Sequence, residues 1–369
     1  EMRLIPYGDE VITEDMSARF AGQTGSEVWK TFVSQLTVEE ISNFVGTSSY
    51  STPAITSIQK PGTIDSDGPL GWVNFMAYAN DTISSVCSYA SEPVLAATYN
   101  IELARRMGEA VGDEALVGYS KDGETSQPYS GWFAPGVNIH RSPFGGRNFE
   151  YYSEDPLLLG KMAAQVIQGA NSKGLYTQIK HFAANDQETN RSGVCTWVDE
   201  QTLREVYLRP FEIAVIEGGT HGIMSSFNRI GSTWTGGSYA LLTGVLRGEW
   251  DFRGMVISDY NTGPVYMNSN QMLLAGGDVN LATGVFPDTS NMTASLATAL
   301  QRSAKNFLYA QANSNAMNGL GSGAVVGVTS QAWIRVLYIV DAVIVVLLAL
   351  WGVLAFRSTR KYKKAHPAG

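Results

Sequence analysis

Cysteine and histidine are scarce in this chain, and positive charge is scarce outside its last few dozen residues. Only two cysteines, Cys87 and Cys195, occur among 369 residues, which excludes a disulfide scaffold and a cysteine-rich zinc site. They read as two free thiols. Four histidines, none in an HExxH pattern, argue against a zinc protease, and no metal or organic cofactor is implied. No GxGxxG opens a helix and no Walker sequence occurs, so nucleotide-binding sheets lose ground. Lys and Arg total 26 against 34 Asp and Glu, a net charge of -8. From Arg335 onward there are six basic residues and one acid, a balance of +5, so everything before it holds 20 against 33, or -13. So acidic a body does not suit nucleic acid as a partner, because binding there needs clustered positive charge.

What is present is apolar material: 44% of residues are hydrophobic and 11% aromatic, enough for a substantial core. One run stands apart. Val336 to Phe356 reads VLYIVDAVIVVLLALWGVLAF, 21 residues with a single charge. A helix of that length spans about 30 Å, the thickness of a bilayer's hydrocarbon core. Five basic residues follow within the next eight positions. The positive-inside rule then predicts a single-pass anchor in the cell membrane, with the C-terminus cytoplasmic and the body extracellular. Asp341 falls near the outer interface, where a carboxylate is tolerated. The first residue is Glu, so 1–25 is expected to be a connector from an upstream domain. The folded body is expected over 26–310, a Gly-, Ser- and Asn-rich flexible stalk over 311–333, the membrane helix over 334–357 and a basic cytoplasmic tail over 358–369.

Inside the body, helix and strand signals alternate. Thr37 and Glu40 form a capping box that opens TVEEISNFV, with Gly46 closing the helix, and Asn100 can cap IELARRMGEAV. The apolar runs GVNIH, YTQIKHF, HGIMSSF and GMVISDY suit buried parallel strands, with helix-like stretches between them. This pattern favours an α/β barrel or a doubly wound sheet. Polar residues crowd the C-terminal end of each run: His140 and Arg141, Lys180 and His181, Asn228 and Arg229, Ser258 and Asp259. In a barrel, that rim carries the active site.

Five blocks carry a resemblance. SDGPLGW (66–72), APGVNIHRSPFGGRNFEYYSEDP (134–156), KHFAANDQETNR (180–191), MSSFNRI (224–230) and LLTGVLRGEWDFRGMVISDY (241–260) resemble, in order and spacing, the barrel domain of family-3 glycoside hydrolases. The resemblance implies an α/β chain with a (β/α)8 TIM-like barrel, here followed by a single transmembrane helix. It implies a retaining exo-β-glycosidase, β-glucosidase-like, acting on oligosaccharides or other β-glycosides. Asp259, ending an apolar strand in SDY where the family has SDW, matches the nucleophile; alone, it would read as a helix N-cap. Asp67 matches the acceptor for hydroxyls of the non-reducing-end sugar, and Arg147, Lys180 and His181 match donors to the same ring. Met224 matches a position that lines the sugar subsite. Phe227 is a departure, since the family usually has Tyr there.

Asp65 reads as turn scaffolding, Glu188 with Arg191 as a buried pair, and Glu150 and Glu154 as a structural helix entry. Trp72, Trp132 and Trp234 suit either sugar stacking or the core. Retaining hydrolysis also needs a general acid. The single-domain N-acetylglucosaminidases of the family carry a KHFPGHG-type loop with a histidine acid. The stretch here, KHFAANDQETN, resembles instead the glucosidase-type form, whose acid, a glutamate, usually comes from a second α/β sandwich domain. The expectation is that such a domain lies upstream of Glu1 and supplies the acid/base. The alternatives are a membrane-displayed carbohydrate-binding protein without turnover, or a sister activity such as β-xylosidase or N-acetylhexosaminidase.

Overall fold

The computed structural model describes residues 25–72, 86–117, 129–261, 263, 265–317 and 332–365. The expected connector is almost wholly outside these residues. Two units result, one running to Ala324 and one from Val325 onward.

Among the described residues of the first unit ten strands form: β1 (Ser51–Thr52), β2 (Thr63–Asp67), β3 (Tyr129–Phe133), β4 (Tyr176–Phe182), β5 (Cys195–Thr196), β6 (Gly222–Ser225), β7 (Arg229–Ile230), β8 (Thr233–Trp234), β9 (Met255–Tyr260) and β10 (Val279–Leu281). Seven of them make one sheet in the order β1-β2-β3-β4-β6-β9-β10, and β5, β7 and β8 make a small second sheet. From β2 to β10 every neighbour in the large sheet is parallel, while β1 runs antiparallel to β2. The sheet is a curled half-barrel of TIM-like type. Among the described residues it has six parallel strands and one antiparallel edge rather than eight parallel strands.

The helices are α1 (Gly25–Val33), α2 (Val38–Thr47), α3 (Glu92–Ala96), α4 (Ile101–Val117), α5 (Pro156–Asn171), α6 (Arg209–Ile216), α7 (Ser269–Ala275), α8 (Ala294–Ala312) and α9 (Ala332–Ala365). The capping box of Thr37 and Glu40 opens α2. That helix passes Gly46 and ends at Thr47, one residue beyond the glycine expected to stop it. Asn100 caps α4 through its Oδ1, which accepts from the Leu103 N–H at 3.0 Å.

Strand periodicity divides the core in two, because successive side chains face opposite sides of a sheet. Ile179, Ile223 and Val256 pack with α4, α5 and α6. Tyr176, Met224, Met255, Ile257 and Val279 pack with α1, α2 and α8, where Phe44 stacks on Phe307 with ring centroids 4.4 Å apart. The body continues past Ala310. Gln311 is buried and donates to Tyr176 OH at 3.1 Å, and Asn315 Nδ2 donates to the Tyr129 carbonyl at 2.7 Å. The three tryptophans fall in the core, each with its indole N–H satisfied by a carbonyl: Trp72 by Val111, Trp132 by Gly68 and Trp234 by Ser226.

In the second unit, α9 contains a stretch, Trp333–Tyr362, long and apolar enough to cross a membrane, with mean hydropathy 2.7.

Candidate active site

The large sheet delivers charged side chains to one end of its strands. Asp67 is the last residue of β2, Lys180 and His181 lie in β4, and Asp259 is next to last in β9. Register keeps these strands level, since Asp67 lies opposite Phe133 and Phe182 opposite Ser225. Gly68, at φ +137°, makes the turn that lets its N–H donate to Asp67 Oδ1 at 2.8 Å. Arg147 arrives from the loop after β3, where Gly146 takes φ +91°.

Cation and carboxylate alternate through the site. Lys180 Nζ, fully buried, donates to Asp67 Oδ1 at 2.7 Å and lies 3.6 Å from Glu150 Oε2. Glu150 Oε1 accepts from Arg147 Nε. Arg147 Nη1 donates to His181 Nε2 at 3.0 Å. A guanidinium has no acceptor, so Nε2 must offer its lone pair there. The His181 proton then sits on Nδ1, 3.3 Å from Tyr151 OH, whose own proton points at the Asn185 carbonyl at 3.4 Å. Asn138 fixes the His181 backbone on both sides, accepting from its N–H at 2.6 Å and donating to its carbonyl at 3.0 Å.

Asp259 lies at the far side of this network. Its Oδ1 accepts from the Tyr260 N–H at 2.7 Å, and its Oδ2 is 3.9 Å from His181 Nε2. That Oδ2 is buried with no hydrogen-bond partner among the described residues. Burial pushes the Asp259 carboxyl up to about 6, although Arg147, the Tyr260 N–H, Arg191 and Lys180 all favour its charged form. Burial acts on Asp67 too, but there the Lys180 ammonium prevails and holds the carboxyl below its usual range. Burial, then Arg147, Lys180 and Arg191, drive His181 well below the usual imidazole value, so its ring is neutral. Deeper in the fold, a buried ion pair of Arg247 and Asp278 at 2.7 Å pins β9, because Asp278 Oδ2 also accepts from the Val256 N–H.

The structure thus brings Asp67, Arg147, Lys180, His181 and Asp259 into one network. Met224 and Phe227 belong to the apolar cluster beside it, with the Arg191 guanidinium 4.3 Å above the Phe227 ring. Glu188 and Arg191 do pair, at 2.8 Å, but each is about one-third exposed rather than buried. Asp65 is not a turn residue: it is buried in β2, where Tyr176 OH and Gln178 Nε2 donate to it. Glu150, Tyr151 and Asn138 were missed by motif reasoning. Glu150 is buried between two cations, and its only sequence signal is an acid three residues after Arg147. Both cysteines are free and exposed, and no group of His, Cys, Asp and Glu suited to a metal occurs among the described residues.

Comparison with known proteins assigns this arrangement to a class. The Glycosyl hydrolase family 3 N terminal domain matches residues 81–299, more than half the chain. The chain belongs to that family. Beta-glucosidase B of Emericella nidulans is 42% identical over 229 residues, covering 62% of this chain and 26% of that protein. Beta-glucosidase A of Butyrivibrio fibrisolvens is 34% identical over 261 residues, covering 69% of this chain and 29% of that one. Among solved structures, beta-glucosidase 3B of Thermotoga neapolitana, in complex with glycerol, superposes with a TM-score of 0.69 at 31% identity. That match covers 81% of this chain and 44% of the other. The chain therefore spans between a quarter and a third of these two curated relatives, and less than half of that structural neighbour.

Proposed function

We propose that this chain is the nucleophile-bearing barrel of a retaining exo-β-glycosidase, β-glucosidase-like, that removes terminal β-linked sugars from oligosaccharides or other β-glycosides. The observation that carries the reading is the Asp259 Oδ2: buried, unpartnered among the described residues, and set beside cations that favour its ionised form. One carboxylate oxygen is held by a backbone N–H while the other is left for an incoming carbon. Asp67, kept ionised by Lys180, accepts hydrogen bonds from sugar hydroxyls, and Arg147, Lys180 and His181 orient the same ring. Met224 and Phe227 provide the apolar wall.

In the first step Asp259 attacks the anomeric carbon as the glycosidic C–O bond breaks, and an acid protonates the departing oxygen. In the second, the same group, now a base, takes a proton from water as the water oxygen displaces Asp259. The other carboxylates of the network are engaged with cations: Asp67 with Lys180, Glu150 with Arg147 and Lys180, and Glu188 with Arg191. Each of them is committed to an ion pair. This supports an acid from outside the chain, for which an α/β sandwich domain upstream of Glu1 is our assignment. The apolar helix α9 supports a single-pass anchor in the cell membrane, with the basic tail cytoplasmic and the barrel extracellular.

A screen of this chain joined to its sandwich domain against aryl β-glycosides tests the reading. Release of aryl alcohol from β-glucosides or a sister sugar is expected. Sugar binding without any release would leave a carbohydrate-binding protein.

A further inference from the structure

The large sheet has two edges, β1 and β10, and between them the strand-end ring of charged groups is interrupted. The gap is spanned by the end of α2 and the segment that follows it. Beyond β10 the chain hydrogen-bonds to α2, the Gly284 N–H donating to the Gly46 carbonyl at 2.9 Å. Tyr50 sits in this seam, immediately before β1. Its carbonyl accepts from the Asp65 N–H at 3.0 Å, which extends the antiparallel pairing of Ser51 with Ile64 by one residue. Directly opposed residues share a face, as do residues two apart along a strand, so Tyr50, Asp65 and Asp67 face the same side. Phe133, the register partner of Asp67, meets the Tyr50 ring edge-to-face at 5.7 Å.

The Tyr50 ring packs against the core cluster while the residue stays half-buried, and its hydroxyl makes no hydrogen bond among the described residues. Burial, Asp67, Tyr260 and Asp259 together push its phenol up to about 12, so the group keeps its proton and remains a donor. The two carboxylates that act on it are the two that the glycosidase reading places at opposite ends of the sugar. Phe227, the aromatic on the β6 side, has no hydroxyl to offer.

We propose that the Tyr50 hydroxyl is a specificity-determining contact, donating a hydrogen bond to one hydroxyl of the pyranose held between Asp67 and Asp259. The inference rests on the glycosidase reading and adds a residue to it. A sugar hydroxyl can accept from Tyr50 while donating to a carboxylate, which a phenol on the same face as Asp67 is suited to exploit. Its worth is that of one neutral hydrogen bond, about 3- to 10-fold in affinity.

The test is calorimetric titration of the chain with glucose and the monodeoxy glucoses, for the parent and Tyr50→Phe. The variant keeps the ring and breaks no hydrogen bond within the described protein, so its melting temperature should match the parent's. The parent should bind one deoxy sugar more weakly than glucose, and Tyr50→Phe should narrow that one glucose-to-deoxy gap by about 3- to 10-fold, the carboxylate's share of the gap remaining. Equal binding by variant and parent, or an equal loss on every sugar, would overturn the assignment of Tyr50 and leave the glycosidase reading standing. A parent that binds none of these sugars would overturn both.

Discussion

His181 and Asp259 face each other at 3.9 Å without an ion pair. The imidazole is neutral and its Nε2 lone pair is taken by Arg147, so it has no proton to give the carboxylate. The result is a buried carboxylate whose charge is supported by Arg147, Arg191 and Lys180 at a distance while one oxygen stays unpartnered. Such an oxygen is poorly solvated and correspondingly nucleophilic once ionised.

That arrangement sets the acid limb of catalysis. In the proposed mechanism Asp259 attacks as a carboxylate, and burial places its carboxyl at about 6, above the usual carboxylate range. The kcat/KM of the full enzyme should therefore fall as pH drops through about 6. Arg147→Gln removes the largest influence favouring the charged form, so the limb should move to higher pH. A pH profile of kcat/KM on an aryl glycoside checks this, and a limb that stays put or moves down would contradict it.

Much of this site was legible in the sequence because its residues sit at strand ends inside short, distinctive runs. Lys180, His181 and Asp259 lie toward the ends of apolar runs whose period places them at the rim. Asp67 follows no such run, β2 being TIDSD, and was legible only through its SDGPLGW motif. Glu150 was not legible, because its role depends on burial between Arg147 and Lys180, two cations brought together only by the fold. The tryptophans stayed ambiguous for a related reason: an indole suits a core or a sugar face equally until its neighbours are known. Gln311 and Asn315 read as stalk by composition, yet their amides reach back to Tyr176 and Tyr129. The antiparallel β1 edge is only two residues long, too short for any periodic pattern.

A second buried carboxyl makes a prediction about stability. Asp186 lies against a cavity of about 260 Å³ lined also by Arg141, Tyr207 and Asn228, and its Oδ1 has no partner among the described residues. Burial pushes it up to about 7, with Arg141 and the Ile139 N–H only partly opposing. The folded chain thus holds this proton over a range, about pH 4 to 7, in which the unfolded chain has lost it. Stability should fall as pH rises through that range, by at most about 1.4 kcal/mol per pH unit from this group. Asp186→Asn should remove the penalty, so its urea midpoint should gain on the parent's between pH 5 and pH 8. A constant difference across that range would refute the assignment.

Leaving-group dependence tests the proposal that the acid comes from outside this chain. General acid catalysis is typically worth about 10²–10⁴-fold and matters most for poor leaving groups. The 369-residue chain should be far slower on a disaccharide than the chain joined to the proposed sandwich domain. That gap should shrink on a dinitrophenyl glycoside, whose phenolate departs with little protonation. Equal rates on the disaccharide would place the acid within this chain, with Asp186 and Glu188 the first carboxylates to test.

Topology has its own test. Removing everything after Gln331 deletes α9, the apolar helix that can cross a bilayer, and should release a soluble barrel. Sedimentation of the truncated protein with membranes after a high-salt wash would contradict the single-anchor reading.

The central claim is that Asp259 forms a covalent bond to the sugar. A 2-fluoro glucoside with a dinitrophenyl leaving group slows the breakdown of that bond and needs little acid to form it. Incubated with this chain and analysed by peptide mass spectrometry, it should add one fluoroglycosyl group to Asp259, with no labelling of Asp259→Asn. A label on Glu188 or another carboxylate, with Asp259 unmodified, would contradict the account.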